Sequence, residues 1–292
     1  MDYSAVIPGV RKKEPSKAYG RGLILLDSIF EFQTAYSYAE EKMTDYIKVI
    51  CTKLNKICDY KAPRIPVLPD IVNQEAVKEK LGSQVPVGVA KETLEIATIN
   101  LRDEFMFNIT GDDITADPLF FKGLINNILA VNNTECIIFD SNSILEEISN
   151  ERVYYSKDTC YGSIDKLNEE FTANNQEKTI ICFLINVNSM LSKLSAIEKG
   201  KFTTLLTDSK KNGNIKYIIV DTIDTIKSIN FEPWYKSNVD LSEGIWLGNG
   251  IGNQFTLKVT TNSRILRAEV EPGFGYVIYK GKATLIKLMT DE

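Results

Sequence analysis

Histidine is absent from this chain of 292 residues. Its absence removes Ser-His-Asp and Cys-His nucleophile pairs, imidazole acid–base catalysis and histidine metal sites together. Carboxylates, lysines and hydroxyls are the groups left for catalysis. Cysteines are few (Cys51, Cys58, Cys136, Cys160 and Cys182), and no two of them form a C-x-x-C pair. Such a set, with Cys136 and Cys182 inside apolar runs, is expected to be reduced, buried and inert. No apolar stretch approaches the ~18 residues of a membrane span, and the N-terminus lacks the charged-then-apolar layout of a signal peptide. Basic runs interleaved with aromatics are missing too. With a formal net charge of −5, the electrostatic footprint of a nucleic-acid binder is lacking. No repeat of fixed period and no low-complexity segment is visible, which sets aside solenoids and disorder.

What is present is ample apolar content, 43% of residues, enough for one large domain or two small ones. Residues 1–17 are polar, hold Pro8 and Pro15, and read as a linker, compatible with a piece of a longer chain. From 31 to 58 the apolar side chains Phe32, Ala35, Tyr36, Ala39, Met43, Tyr46, Ile47, Ile50, Leu54 and Ile57 recur at helical spacing, which predicts one long amphipathic helix. A connector with Pro63, Pro66 and Pro69 follows, then a short polar helix over 73–80 and a β-hairpin made of 85–89 and 95–101.

Four apolar, β-rich runs come next, 105–110, 136–140, 180–186 and 217–221, separated by helix-like segments. Near-continuous apolar strands alternating with helices indicate an α/β fold with a parallel sheet covered on both faces. Ligands of such sheets gather beyond the carboxyl ends of the strands, so the polar residues that close the runs mark the candidate site. After Glu243 the pattern turns to short strands, 256–260, 265–270, 276–279 and 283–288, expected to extend the sheet edge without a second domain.

The first core strand runs into Gly111-Asp112-Asp113-Ile114-Thr115-Ala116-Asp117-Pro118, and 119–131 reads as a helix. This is where G-x-x-x-x-G-K-[ST] would sit in a P-loop protein. Gly111 matches the first glycine. Ala116 stands for the second glycine, Asp117 for the phosphate-binding lysine and Pro118 for the magnesium-binding hydroxyl. Charge is the decisive departure, because Asp117 would meet a phosphate with repulsion of roughly 4 kcal/mol per charge pair at ~4 Å and intermediate dielectric. Asp112 and Asp113 could add to that, and Pro118 offers neither an N–H nor a hydroxyl. The alternative is an ordinary strand-turn-helix, with Asp117 as N-cap and Pro118 at the first helical position.

The run 180–185 ends in Asn186, where a working ATPase would place a magnesium-organising acid on a neighbouring strand. Asp221 and Asp140 close two other runs and are the remaining carboxylates for that task, unless they simply cap turns. An active NTPase would need one of them, with a lysine from elsewhere such as Lys122. Trp246 and Arg21 are candidate partner contacts. Against this, Trp246 also reads as a core anchor and Arg21 as a solvated surface residue.

Several segments together resemble the FtsK/SpoIIIE-type ATPase domains of type VII secretion. They are Gly20-Arg21-Gly22-Leu23, Glu31 to Ala35, Pro86-Val87-Gly88, the loop at Gly111, Gly244 to Ile251 with Gln254 close behind, Phe274 to Val277, and Lys280-Gly281-Lys282. The likeness is greatest to the last, third ATPase-like domain of the type VIIb coupling proteins. It spans nearly the whole chain and lies in the order and spacing of the segments. The resemblance implies a RecA-like, P-loop NTPase-type, mostly parallel sheet flanked by helices, with extra C-terminal strands. Its implied layout is a linker over 1–18, a helical extension over 19–84 packed on the core, and a degenerate ATPase domain over 85–292. It also implies a cytoplasmic domain of a membrane-anchored bacterial motor without direct membrane contact. Expected partners are secreted WXG-type helical-hairpin substrates and neighbouring ATPase domains of the same chain. The family's phosphate loop falls on Gly111, Asp112, Asp113, Thr115, Asp117 and Pro118, and its metal-site acid on Asn186. Both depart from the active pattern, so neither ATP nor Mg²⁺ is expected as a cofactor, no metal site is expected, and no residue is assigned a catalytic role. An arginine finger toward a neighbouring subunit is the motor-like role open to Arg21.

Overall fold

The computed structural model describes residues 14–34, 42–58, 65–82, 84–101, 104–115, 117–145, 148 and 150–290. The chain forms two compact units, Met1–Ile65 and Pro66–Glu292. In the first, strands β1 (Arg21–Leu25) and β2 (Ile29–Gln33) pair as an antiparallel hairpin, and α1 (Met43–Ile57) follows. The helix expected from residue 31 onward is therefore corrected at its start, and Ala35, Tyr36 and Ala39 lie outside the described residues. Phe32 fits a period of two as well as one of 3.6, and cross-strand pairing decides between them. Its ring lies over Gly22, where a Cβ would come 2.6 Å from it. Helix α1 keeps its apolar stripe, but none of its residues is buried.

The second unit is built on a ten-stranded sheet in the order β4-β3-β12-β11-β10-β5-β9-β8-β6-β7. Along the chain come α2 (Gln74–Val77), β3 (Val85–Ala90), β4 (Ile96–Ile99), β5 (Met106–Gly111), α3 (Pro118–Leu129), β6 (Thr134–Asp140) and β7 (Val153–Lys157). Next are α4 (Tyr161–Ala173), β8 (Thr179–Ile185), α5 (Val187–Lys193), α6 (Ala196–Asp208), β9 (Ile215–Thr222), α7 (Ile223–Ile229) and α8 (Pro233–Lys236). The chain closes with β10 (Gly244–Leu247), α9 (Ser263–Leu266), β11 (Phe274–Tyr279) and β12 (Lys282–Leu288). Residues 66–84 belong to this unit, and Val72 and Val77 are buried in its core.

From β10 to β7 every pairing is parallel. The central strands are buried along their length because both faces are covered. Strand β8 sends Ile181, Phe183 and Ile185 into the cluster that contains the α3 residues Phe120, Leu124 and Ile128. Its alternate residues Ile180, Cys182 and Leu184 enter the cluster of Leu167, Phe202 and Ile226. Cys136, Cys160 and Cys182 are buried, and burial pushes their thiols up, Cys160 to about 11. Cys51 and Cys58 are exposed, so the expectation of buried thiols does not hold for them.

The C-terminal strands do not extend an edge. They fill the space between β5 and the β3–β4 hairpin, with β10 parallel to β5 and then antiparallel to β11. Segment 256–260 is not a strand. Its amides bond to loops, Lys258 N to Leu241 O at 2.8 Å and Thr260 N to Gly281 O at 2.7 Å. Within 265–270 the helical turn α9 appears instead, where Asn262 Oδ1 accepts from Arg264 N at 2.9 Å and starts the turn. The parallel edge strand β7 carries two tyrosines and a lysine in a weak pattern, and periodicity misses it.

Close packing inside this sheet rests on glycine. Gly275 of β11 has no room for a side chain, since a Cβ there would lie 2.5 Å from Trp246 O. Gly275→Ala should destabilise the protein by about 1–3 kcal/mol in urea titrations. A methyl group on Gly200 of α6 would meet nothing within 4 Å, and Gly200→Ala should stabilise by about 0.5–1 kcal/mol.

Candidate functional site

Because β10, β5, β9, β8 and β6 run parallel, their carboxyl ends lie along one edge. The loop after Gly111, Asp221 at the end of β9 and Asn186 after β8 meet there. Gly111 pairs with Leu247 of β10 on one side and Thr222 of β9 on the other. A Cβ on Gly111 would come 2.8 Å from Leu247 O, so the strand can be paired on both edges only with glycine here. In this sheet order Asn186 closes a strand separated from β5 by β9, and the acid on the adjacent strand is Asp221.

The loop organises itself around its own carboxylate. Asp113 Oδ1 accepts from the Thr115 amide at 2.7 Å and from the Thr115 hydroxyl at 2.7 Å, and those bonds hold its carboxyl below the usual range. Ile114 between them is buried and anchors the loop to the core. Asp112 lies against Gly250, where a Cβ would collide with its carboxylate. Burial, and then the charge of Asp113, raise Asp117. Ala116 lies outside the described residues. Asp117 stands at the N-cap of α3 and Pro118 in its first turn, as expected, but Asp117 makes no side-chain cap bond. Its backbone carbonyl engages the first turn instead, accepting from Phe120 N at 3.1 Å.

Asn186 adopts a left-handed backbone, φ 52, which asparagine tolerates, and its amide donates to Val220 O at 3.0 Å. Asp221 is 1% exposed, and its Oδ1 accepts from Thr222 N at 2.9 Å. Burial raises its carboxyl to about 6, although the Thr225 hydroxyl and the Thr222, Val187 and Asn188 amides partly offset this. Oδ2 has no hydrogen-bond partner of ordinary geometry, and neither does the hydroxyl of Thr110, its register partner on β5. Asn108, two residues back on the same strand face, donates to Tyr235 Oη at 2.8 Å and leaves its own Oδ1 unpartnered.

Asp140 is different. Its Oδ1 accepts from Ile144 N at 3.0 Å, and its Oδ2 from Leu145 N at 2.8 Å and Tyr155 Oη at 3.0 Å. Both oxygens of this carboxylate are bonded, by its own turn and by Tyr155 of β7. Lys122 is on the exposed side of α3.

Trp246 cannot serve as a surface contact. It is fully buried, and its Nε1 donates to Asn249 O at 2.7 Å. Asn249 has a role that sequence reasoning missed. Its side chain exchanges hydrogen bonds with the backbone of Val270, at 3.1 Å from its Nδ2 to Val270 O and 2.6 Å from Val270 N to its Oδ1. The glycines at 248 and 250 were the available signal. Arg21 is on β1 of the first unit, with Nε 3.9 Å from Glu31 Oε1. Among the described residues, no group of three or more Cys, Asp or Glu side chains is placed to hold a metal, and no helix is long and apolar enough to cross a membrane.

No protein-family model matches the chain, and no curated protein matches it. Solved structures do. EssC (ATPases 2 and 3) from Geobacillus thermodenitrificans superposes with a TM-score of 0.67 at 15% identity, over 100% of this chain and 60% of that one. A cytoplasmic domain of EssC gives 0.61 at 15% identity, over 96% of this chain and 60% of that one. EccC (ATPases 2 and 3) of Thermomonospora curvata, in complex with a signal sequence peptide, gives 0.59 at 16%, over 95% and 54%. The chain thus spans 60% or less of these relatives. Its fold is that of the RecA-like P-loop ATPase domains of type VII secretion motors, a mostly parallel sheet flanked by helices.

The buried acid makes stability depend on pH. Its folded pKa, about 6, lies above the ordinary 3.8. Between those values the native state holds a proton that the unfolded chain has released, so this contribution to stability falls as pH rises through the window and stays lost above it. Asp221→Asn should therefore match the wild type near pH 4 and exceed it by on the order of 2 kcal/mol above pH 7. Thermal melts across that range measure the difference.

Proposed function

We propose that this chain is a non-hydrolysing ATPase-like module of a type VII secretion motor, the C-terminal domain of an EssC-type coupling protein, and that it recognises substrates and regulates the motor. One observation carries the nucleotide half of this reading: the Asp113 carboxylate occupies the Thr115 amide and hydroxyl, donors that a phosphate-binding loop would turn toward its ligand. A phosphate would have to displace a bonded anion and then face Asp112 and Asp117 without the lysine that position 117 would supply. Pro118 offers no hydroxyl for magnesium, and Asn186 no charge. These side chains do not fit a magnesium-bound triphosphate.

In this reading the ATPase-like domain takes in residues 66–84, which were expected to belong to an extension over 19–84, together with the expected 85–292, and lies in a cytoplasmic part of a membrane-anchored protein. The partners are secreted WXG-type helical-hairpin proteins and neighbouring ATPase domains, with Arg21 as a contact to a neighbour. Nucleic acid and the membrane surface are not partners in this reading. Support for substrate recognition comes from the structure of EccC (ATPases 2 and 3), of which this chain matches 54% and which was solved in complex with a signal sequence peptide. A signal segment would dock through a few aromatic or aliphatic anchors in a groove.

Asp221 favours one competing reading. An unpartnered carboxylate oxygen beside the loop is where an active NTPase would organise magnesium and water. Titration calorimetry with Mg·ATP at sub-millimolar concentration should give no binding heat, and phosphate release should be no faster for the wild type than for Asp221→Ala. Tight binding, with turnover that Asp221→Ala abolishes, would establish the NTPase instead. Pull-down of candidate secreted hairpin proteins with the chain tests the recognition half separately.

A further inference from the structure

The two edges of the large sheet are unlike. At one end β7 carries an exposed Lys157 on its last residue, the kind of charge that discourages another strand from pairing. At the other end β4 reads Ile-Ala-Thr-Ile, with no charge, proline or glycine, and among the described residues no strand pairs with its outer edge. Its backbone register to β3 is regular from Ile96 to Ala97 and from Thr98 to Ile99, with one shift between Pro86 and Gly88 on the inner partner.

Two clefts adjoin this edge. Ile96, Ala97 and Thr98 line one of about 520 Å³, with Ile265 and Val277 among its apolar walls. Thr98, Ile99 and Leu101 line another of about 550 Å³, on the side of Ile128 and Val131. Thr98 of β4 lines both. The rim of the first cleft carries Glu92, Glu95 and Glu269 against a single base, Lys282.

We propose that β4 receives an extended peptide as an added strand, with apolar side chains at alternate positions entering the two clefts and a lysine or arginine meeting the Glu92–Glu95–Glu269 rim. Alternate side chains of an added strand point to opposite faces, and backbone bonds supply affinity while pockets supply selectivity. The acidic rim selects a basic segment over a second copy of this chain, because pairing two β4 edges would bring like-charged rims together. The assignment rests on the partner-recognition half of the reading above and is independent of its nucleotide half.

The test uses the whole chain and a labelled synthetic peptide, Lys-Val-Thr-Val-Thr-Val-Lys, followed by fluorescence anisotropy. Binding is expected. It should weaken by about tenfold or more when alternate amides of the peptide are N-methylated, and similarly when glutamates replace the flanking lysines. Ile265→Lys, at a residue 59% exposed, should weaken binding without moving the melting temperature, and Thr98→Lys is a second variant on the strand itself. Binding indifferent to N-methylation would overturn strand addition. So would the absence of peptide binding, or a concentration-dependent dimer in sedimentation that Thr98→Lys disperses. A secreted hairpin protein captured equally well by wild type and Ile265→Lys would remove this site and leave the recognition reading standing.

Discussion

Strand β5 is paired on both edges up to its last residue, and the rest of the larger unit depends on that double pairing. On one side it continues the parallel half of the sheet through β9. On the other it accepts β10, which brings in the antiparallel C-terminal strands and through them the β3–β4 hairpin. The approach is tight enough that Leu247 O occupies the space a side chain at Gly111 would need. A glycine that a phosphate-binding loop would use for its turn is here held by strand packing alone, and that suffices to account for it.

The same position explains the contrast among the acids at the carboxyl edge. Asp140 lies on β6, two strands farther out than Asp221, where its own turn folds back to supply two amides and a tyrosine hydroxyl is added to them. Asp221 lies beside β5, where the chain leaves directly into α7, and one of its oxygens is left without a partner. Thr110 and Asn108 on the neighbouring strand repeat the pattern, each with an unsatisfied buried oxygen. Such a row of under-bonded polar atoms below a loop is an energetic weakness in an otherwise apolar core. Meanwhile the loop above it has closed on itself through Asp113 and Thr115.

Edges and clefts complete the picture. Two clefts, of about 550 and 520 Å³, lie around β4 at the side of the sheet formed by the hairpin.

The strands β5, β6, β8 and β9, the helix after the loop and the β3–β4 hairpin were legible because their signals are local. Continuous apolar runs, closed by polar residues, have few other ways to be satisfied than in a sheet covered on both faces. The charge reversal at position 117 and the missing hydroxyl at 118 were legible for the same reason, since residue type alone decides them. Sheet order, the interior place of β10 to β12, the burial of Trp246, the lack of a cap bond at Asp117 and the place of Asp221 beside β5 were not legible. Each depends on which distant segment lies alongside: Phe32 suits a helix or a strand until Gly22 pairs with it, and 265–270 reads as a strand until Asn262 starts a helical turn. Sequence by itself determined an α/β core and a loop of the wrong charge for phosphate. Tertiary structure decided which acid stands beside that loop and which flank stays open, because strand neighbours are chosen by packing between residues far apart in the chain.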